Sequence, residues 1–407
     1  MTGPDLDEAR PPFAFAARMA LIYSVFFAYT GLFLPYFPLW LKERGLDSGQ
    51  IGIVLSLPLL VRILTSGQIS AFADRTADRA NVLIVLCAGS AVCVAAYPLV
   101  AGFWPILAIA LIMAVFNHPI QPVVDSITLS GVRRFGVDYG RIRLWGSVVF
   151  IGANLVGGAL LGGAGIGAVM TVMIATAIAG ALLSPVTPRL GRPRRPATAL
   201  EIASAGAWRL MANRRFMLMT AGCGLIQATH AFVYTFGSIH WQNVGYSGDA
   251  IGAFWAVGVA AEVLLFRFSR RVLGRLSPVP LAALGAAAAI LRWALLPFAP
   301  DVATVALLQA LHGLTFGATH LGLMHFYNDA VPEERIGAAQ GVGFVVGAAF
   351  MGLAIFASGP LFAMAGGYGF LAMALASAVG LGLFLLAMRS PAQPQSTVDG
   401  GETSALE

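Results

Sequence analysis

Of the 407 residues 58% are hydrophobic and only 11% are charged, and the mean hydropathy is +0.80. A water-soluble protein of this length needs far more polar surface to cover its core, so the composition excludes a soluble protein and favours one embedded in a lipid bilayer. The net charge of +6 comes from basic residues spread over short loops rather than one patch. No nucleic-acid partner is therefore expected.

Twelve stretches of the chain have the roughly 20 mostly apolar residues that a membrane-spanning helix requires. In the first half they are Ala16–Leu41, Ile51–Phe72, Val82–Phe103, Pro105–Leu129, Ile142–Leu161 and Ile166–Leu183. In the second half they are Phe216–Trp241, Ile251–Phe268, Val279–Phe298, Val302–Tyr327, Ala338–Phe356 and Gly367–Met388. The sequence therefore predicts an all-α membrane protein with twelve transmembrane helices in two pseudo-symmetric six-helix bundles.

The predicted bundles occupy residues 16–183 and 216–388, and a linker rich in Pro and Arg joins them at 184–215. A short N-terminal tail covers residues 1–15, and a polar tail that we expect to be disordered covers 389–407. Arginines concentrate in alternate loops, whereas the opposite loops hold little beyond Lys42 and Arg44. This asymmetry predicts a multi-pass protein of the inner or plasma membrane with both termini in the cytoplasm.

A faint internal repeat supports two related halves. The segment Ser48-Gly49-Gln50-Ile51-Gly52 opens the second span, and Ser247-Gly248-Asp249-Ala250-Ile251-Gly252 opens the eighth. Such self-similarity at half-chain spacing is typical of transporters whose two halves move about a site near the membrane centre. Paired glycines at Gly158 and Gly162, and along the eleventh span from Gly337 to Gly347, predict close helix packing.

Ionisable side chains within the predicted spans are the first candidates for a functional site, because burying them in hydrocarbon is costly. Arg62, Asp125, Glu262 and Arg292 lie inside spans, and Arg143 begins the fifth. Three cations against two carboxylates favour a negatively charged substrate. The alternative is that these residues form fixed salt bridges that only hold the helices together.

Polar and aromatic side chains at helical spacing provide candidate substrate contacts. They are Asn117 and Gln121 on the fourth span, Gln227, His230 and Tyr234 on the seventh, and His320 on the tenth, together with Arg62. Histidine titrates near neutral pH and can relay protons, which makes His312 and His320 notable. The alternative for a membrane histidine is a role as a hydrogen-bonding strut.

The energy source is expected to be an ion gradient, because the sequence contains no nucleotide-binding loop. We expect no cofactor and no metal: the three cysteines, Cys87, Cys93 and Cys223, lie in apolar stretches without metal-ligand spacing. The expected partners are a small-molecule substrate, protons and the lipid bilayer, and the expected oligomeric state is a monomer. No nucleophile–base arrangement is visible, so an enzyme is not expected.

The loop from Ser70 to Arg79, Ser-Ala-Phe-Ala-Asp-Arg-Thr-Ala-Asp-Arg, resembles the loop signature of the major facilitator superfamily. It departs from that signature in having Ser70 and Ala77 where glycines are usual. The resemblance implies a twelve-helix transporter that works by alternating access. It also implies a gating role for Asp74, Arg75 and Arg79.

Several stretches resemble the oligosaccharide–proton symporter branch of this superfamily: Leu34–Leu41, Asp125, Tyr139–Gly146, Glu262, Arg292 and Leu311-His312. The resemblance implies proton-coupling roles for Asp125, Arg143, Glu262, Arg292 and His312. One departure is that Thr315 occupies the place of an acid one turn beyond the histidine. The proton carrier must therefore differ, and Glu262 is our candidate.

A more detailed resemblance is to the phenylpropionate permeases, over Gln227–Ala231, Trp241-Gln242, Gly245–Ser247, Ala261–Val263, Arg292-Trp293, Leu311–Phe316 and His320-Leu321. It implies import of an aromatic carboxylate together with a proton. Proton symport of nucleosides or oligosaccharides and proton-driven efflux of hydrophobic compounds remain open at this point. So does a membrane sensor that does not transport.

Overall fold

The computed structural model describes residues 14–76, 78–191, 207–208, 210–299 and 301–390. Within this part of the chain the regular structure is helical, with no strand. We number the long helices α1 to α12. Those of the first half are α1 Phe15–Glu43, α2 Ser48–Arg75, α3 Arg79–Ala96, α4 Phe103–Phe135, α5 Tyr139–Ala164 and α6 Ile166–Leu183. Those of the second half are α7 Arg214–Val244, α8 Gly248–Val272, α9 Pro278–Leu295, α10 Val302–Ala330, α11 Ile336–Ala365 and α12 Phe370–Arg389.

The helices are long and apolar enough to cross a bilayer. The structure contains 11 such stretches in its described part, and the last of them, Ile336–Arg389, has 54 residues. A short 3-10 turn at Gly366–Gly369 divides it into α11 and α12, so the predicted twelve spans are confirmed. Most of the N-terminal tail, residues 192–206 of the linker and the tail beyond residue 390 lie outside the described residues. The exact boundaries of the two bundles stay a prediction.

Helix starts follow local capping chemistry. Asp47 begins α2 with a capping box, in which its carboxylate accepts from the Gln50 backbone while the Gln50 side chain accepts from the Asp47 backbone. Short polar side chains also cap later helices, because they satisfy N–H groups that lack a partner in the first turn. These caps are Asp78, Asp138, Asn213, Ser247 and Asp301. Local polar residues thereby mark where six of the twelve long helices begin.

Three helices are interrupted near their middle. In α4 the helix stops at Asn117 and resumes at Ile120, beside Pro119, which lacks a backbone donor. In α7 it stops at Ala228 and resumes at Ala231. In α10 a π-helical segment, Gly313–Ala318, follows His312. Irregular backbone at membrane depth is tolerated where it lies inside protein or beside a cavity. Each of the three interruptions contains polar residues.

The two halves meet closely on one face of the membrane, where α5 ends and α8 begins. A Cβ atom at Gly158 would come within 2.5 Å of the Gly248 carbonyl oxygen, so only glycine allows this approach. Gly52 of α2 packs similarly against Gly359 of α11. We call this side the opposite face. The face where α6 ends and α7 begins is the linker face.

A further contact joins the two halves at the opposite face, where the Lys42 ammonium donates to Asn243 Oδ1 at 2.7 Å. Within the first half, the Tyr36 hydroxyl donates to the Asn154 carbonyl at 2.5 Å. Three glycines of α11 behave differently from our prediction. A Cβ at Gly337, Gly341 or Gly347 would meet nothing within 4 Å. The prediction of close packing was therefore wrong at these three positions, which face open space. It was right at Gly343, where a Cβ would come within 2.5 Å of the Tyr327 hydroxyl.

The glycine seam between α5 and α8 makes a testable prediction. Replacing Gly158 by alanine should lower the free energy of unfolding in detergent by about 1–3 kcal/mol, since the added methyl group forces two backbones apart. Gly152→Ala is the matched control: it lies on the same helix with nothing within 4 Å of its Cβ. Alanine favours helix over glycine, so Gly152→Ala should keep or raise stability. Equal effects of the two substitutions in denaturant titrations would contradict the seam.

Candidate functional site

Three of the cavities in the described structure are lined by candidate residues: two lie between the halves, and one lies within the second half. The first, which we call the Glu262 cavity, has a volume of about 200 Å³. Helices α1 and α5 line one side of it and α7 to α10 the other. Its polar lining consists of Arg143, Ser147, Tyr234, Glu262, Arg292, Gln309 and His312. Four of the five residues predicted to couple protons therefore share one cavity.

A hydrogen-bonded network in the second half connects Arg292 to Glu262 through His312. Arg292 Nη1 lies 3.2 Å from His312 Nδ1, and His312 Nε2 lies 3.4 Å from Glu262 Oε2. An arginine can only donate, so Nδ1 accepts and Nε2 carries the proton that points at Glu262. The buried guanidinium also donates to Gln309 Oε1 and to Thr315 Oγ1, the latter at 3.1 Å. A neutral histidine thus separates the buried cation from the carboxylate.

Thr315 extends this network to His230. The Thr315 hydroxyl lies 2.9 Å from His230 Nε2, while His230 Nδ1 lies 3.1 Å from the Gln227 carbonyl. A carbonyl only accepts, so Nδ1 carries the proton and Nε2 accepts from Thr315. His230 is fully buried and lines none of the three cavities. In this structure His230 therefore packs inside the second half, away from these cavities, and its role as a substrate contact stays a prediction.

Arg143 faces this network from the first half. Its guanidinium stacks on the ring of Phe27 at 4.0 Å and donates to Ser147 at 3.5 Å. It lies near enough to Glu262 for the two charges to attract each other across the cavity. Arg143 and Glu262 are consequently the opposite charges that the two halves bring together at this site.

Asp125 lies beside Arg143 but is held by tyrosines. Its Oδ1 accepts the hydroxyl of Tyr23 on α1 and, at 3.2 Å, that of Tyr139 on α5. Among the ion pairs in the described residues none joins Asp125 to Arg143. Tyr139 therefore links Asp125 on the fourth helix to the fifth helix.

The second cavity, which we call the Arg62 cavity, has a volume of about 300 Å³ and apolar walls. Its polar groups are Arg62, Tyr97, Asn117, His118, Tyr234 and Thr235, and no acidic residue lines it. Arg62 makes no hydrogen bond or ion pair within the described chain and stacks on Phe344 of α11 at 5.1 Å. The Tyr97 hydroxyl is buried without a partner in the same region. Leu34 and Tyr234 line both this cavity and the Glu262 cavity.

The third cavity, which we call the His320 cavity, has a volume of about 340 Å³ and lies between α7, α10 and α11. Gln227 and His320 line it, so these two predicted substrate contacts lie apart from both cavities at the bundle interface. Gln227 donates to the Phe316 carbonyl at 3.3 Å. Gln121 is half-buried and lines none of the three cavities. Asn117 lines the Arg62 cavity and donates to Ser90 at 3.0 Å.

The predicted gating loop forms a compact polar cluster at the linker face. Arg79 is buried, lies 3.6 Å from Asp74, and donates to the Ser126 carbonyl at 3.1 Å and the Ser130 hydroxyl at 2.8 Å. It therefore ties the α2–α3 loop to α4. Arg75 is exposed. The gating role of these residues stays a prediction.

Several side chains at the site were not predicted from the sequence. Tyr23 and Tyr139 hold Asp125, Gln309 holds Arg292, and Trp255 stacks on Tyr234 with ring centroids 6.0 Å apart. Gln309 lies three residues before His312, so helical spacing could have identified it. The tyrosines come from different helices and carry no such signal. In the described chain no group of three His, Cys, Asp or Glu side chains could hold a metal ion.

Comparisons with known proteins agree with this architecture. The model of the MFS_1 like family matches residues 16–374. A probable 3-phenylpropionic acid transporter of Escherichia coli K12 is 30% identical over 317 residues, which cover 76% of this chain and 81% of that protein. A maltose permease of Geobacillus stearothermophilus is 24% identical over 315 residues, covering 77% and 78%.

A solved structure shows the same fold. The crystal structure of the nucleoside transporter NupG superposes with a TM-score of 0.80 at 16% sequence identity, covering 93% of this chain and 100% of that chain. These relatives and structural neighbours are transporters rather than enzymes. The chain therefore belongs to the MFS_1 like family and is a multi-pass membrane transporter of the major facilitator superfamily, with a small molecule as its substrate.

Proposed function

We propose that this transporter imports a small aromatic carboxylate together with a proton across the inner or plasma membrane, as a monomer with its linker face in the cytoplasm. The observation that carries the proposal is the Arg62 cavity, an apolar chamber with an unpaired guanidinium. The similarity to a probable 3-phenylpropionic acid transporter supports the same substrate class. The placement of arginines in the loops of the linker face supports the orientation.

Arg62 is the cation best suited to receive the carboxylate. A guanidinium in a water-poor cavity without an acid is costly until an anion neutralises it. Arg292 is already committed to His312, Thr315 and Gln309, and Arg143 faces Glu262. A carboxylate can accept two parallel bonds from Arg62.

The rest of the Arg62 cavity suits the apolar body of such a substrate. Phe33 and Phe37 of α1 form aromatic walls, and Met113 and Met351 provide adaptable apolar surface. The unpaired Tyr97 hydroxyl adds one donor. A neutral, heavily hydroxylated sugar would leave Arg62 without a counter-charge, so an amphipathic anion fits these walls better.

The Glu262 cavity provides the coupling in this proposal. When Glu262 is ionised it attracts Arg143, and this attraction draws the two halves together. When a proton occupies Glu262 the attraction is lost, and the halves separate toward the linker face. Release of the proton restores the attraction between Glu262 and Arg143, and the empty transporter returns to its starting conformation. His312, between Glu262 and Arg292, keeps the buried guanidinium from neutralising the carboxylate directly.

Arg62→Gln tests the anion site. We expect the KM for 3-phenylpropionate to rise about 10- to 100-fold, the equivalent of losing a charge-assisted contact of about 1.5–3 kcal/mol. Uptake of the neutral amide of the same acid should change little. Arg141→Gln is the matched control, because the Arg141 side chain is 89% exposed and should leave both KM values unchanged. An equal rise in KM for the acid and for the amide would show that Arg62 does not bind the carboxylate.

Glu262→Gln tests the coupling. The variant should insert normally and exchange substrate in counterflow, but it should not accumulate substrate when a pH gradient is imposed across proteoliposomes. Glutamine imitates the protonated acid and cannot release a proton. Asp249→Asn is the control on the same helix, since Asp249 is exposed at the other end of α8. Normal gradient-driven accumulation by Glu262→Gln would exclude Glu262 as the proton carrier.

Substrate class and direction can be settled together by solute-driven proton uptake. The purified transporter would be tested with aromatic acids, nucleosides and oligosaccharides under the same conditions. Alkalinisation of the medium by aromatic acids alone supports the proposal. Alkalinisation by nucleosides or sugars would show that the substrate belongs to that class instead. Energised uptake by everted vesicles would instead indicate efflux.

A further inference from the structure

One face of α10 carries three stacked rings. The His312 and Phe316 rings have centroids 5.4 Å apart and an interplanar angle of 23°. Phe316 and His320 follow at 6.3 Å and 13°. The spacing of four residues between successive rings places them on one side of the helix, even though the π-helical segment Gly313–Ala318 lies between the histidines. The two histidines therefore form the ends of one column that descends from the Glu262 cavity toward the linker face.

Glu262 interacts with both ends of this column. Its carboxylate lies 3.4 Å from His312 Nε2, and it also interacts electrostatically with His320. Phe266, one helical turn beyond Glu262 on α8, packs edge-on against the His320 ring at 6.4 Å. Thus α8 contacts both ends of the column, with Glu262 at the His312 end and Phe266 at the His320 end.

The surroundings of the two histidines differ sharply. His312 is buried and both of its ring nitrogens have partners. His320 is exposed, and within the described chain its ring makes aromatic contacts but no hydrogen bond. It lines the His320 cavity, whose volume of about 340 Å³ has room for several water molecules.

This cavity lies toward the linker face. Thr220 is six residues after the start of α7, Tyr327 three residues before the end of α10, and Gln340 four residues after the start of α11. All three helix ends are at the linker face. Their side chains, with Gln227, give the cavity hydrogen-bonding groups along its length.

We propose that His320 is the proton-exit residue of this transporter: it takes the proton from Glu262 and passes it to water in the His320 cavity. The proposal rests on the proton coupling proposed above. The carboxylic acid of Glu262 releases its proton and the neutral imidazole of His320 binds it, which leaves a carboxylate and an imidazolium. The imidazolium then loses a proton to water and is neutral again, so charge and protons balance. His320 is thereby a relay for protons, and not the substrate contact that its sequence position suggested.

The titratable groups around His320 are few. Glu262 lies on α8, one helical turn before the Phe266 ring that contacts His320. The Cys223 thiol lies across the cavity on α7, and the Tyr327 hydroxyl belongs to the same helix as His320 and is hydrogen-bonded with Thr220 at 3.2 Å. The side chains that line the cavity from α11 are uncharged. Arg143 lies beyond Glu262, in the other half. Glu262 is consequently the acid from which His320 would receive a proton.

The test compares His320→Gln with His325→Gln in right-side-out membrane vesicles that contain the full chain. His325 is exposed on the same helix and lines none of the three cavities, so it is a matched control. We expect His320→Gln to lower gradient-driven uptake of 3-phenylpropionate at least tenfold, with counterflow unchanged. Its rate should also lose the dependence on internal pH between about 6 and 8 that a histidine relay confers.

A second variant makes the role of the imidazole explicit. In His320→Ala, added imidazole should restore gradient-driven uptake, since the free base can enter the His320 cavity and carry the proton; a purely structural defect would not respond. Equal uptake by His320→Gln and His325→Gln would overturn the proposal. Loss of counterflow in His320→Gln would overturn it in favour of a substrate contact. Absence of gradient-driven uptake in the unmodified protein would instead refute the proton coupling on which the proposal rests.

Discussion

Charged groups far from water dominate this structure, because each guanidinium or carboxylate within the spans costs several kcal/mol unless it finds a partner. Four of the five do. Arg292 donates to a histidine, a threonine and a glutamine, Glu262 lies against His312, Asp125 accepts two tyrosine hydroxyls, and Arg143 stacks on Phe27 while facing Glu262. Arg62 alone among these five lacks a polar partner in the described chain, and it borders the cavity with apolar walls. In the proposed function, the unpaired Arg62 guanidinium is the group that binds a negatively charged solute.

The proposed anion site and the proposed proton site are separate yet adjoining. Leu34 on α1 and Tyr234 on α7 line both cavities, and Tyr234 also stacks on Trp255 of α8. A solute in the Arg62 cavity would therefore press on the same side chains that border Glu262. Coupling in this arrangement needs no direct contact between substrate and proton. It needs only that the two halves move as units, and in this structure the glycine seams between α5 and α8 and between α2 and α11 bring the halves into close contact at the opposite face.

Span count and the identity of the buried charges could be read from the sequence, because both depend on composition over windows of about 20 residues. Arg62, Glu262 and Arg292 are recognisable without any contact being known. Partners were harder to predict. Asp125 accepts hydrogen bonds from tyrosines of α1 and α5. The α7 helix is interrupted at His230, whose side chain packs within its own half, and no proline in the sequence indicates this interruption. No sequence pattern predicts the π-helical segment of α10 either, although this segment determines how His312 and His320 share one face of the helix. Long-range side-chain geometry of this kind arises from tertiary packing rather than local pattern.

The internal repeat gives these observations a common origin in the fold. Arg62 lies ten residues after Gly52, and Glu262 lies ten residues after Gly252, so the second helix of each half brings one charge of opposite sign to the interface. The fourth helix of each half is interrupted at a histidine: His118 lines the Arg62 cavity, and His312 contacts Glu262. Each half thus presents a charge and a histidine from equivalent helices. Opposite charges at equivalent positions place the proposed anion site on one side of Tyr234 and the proposed proton site on the other. A symmetric pair of arginines could attract a carboxylate but would provide no acid for the proposed proton coupling.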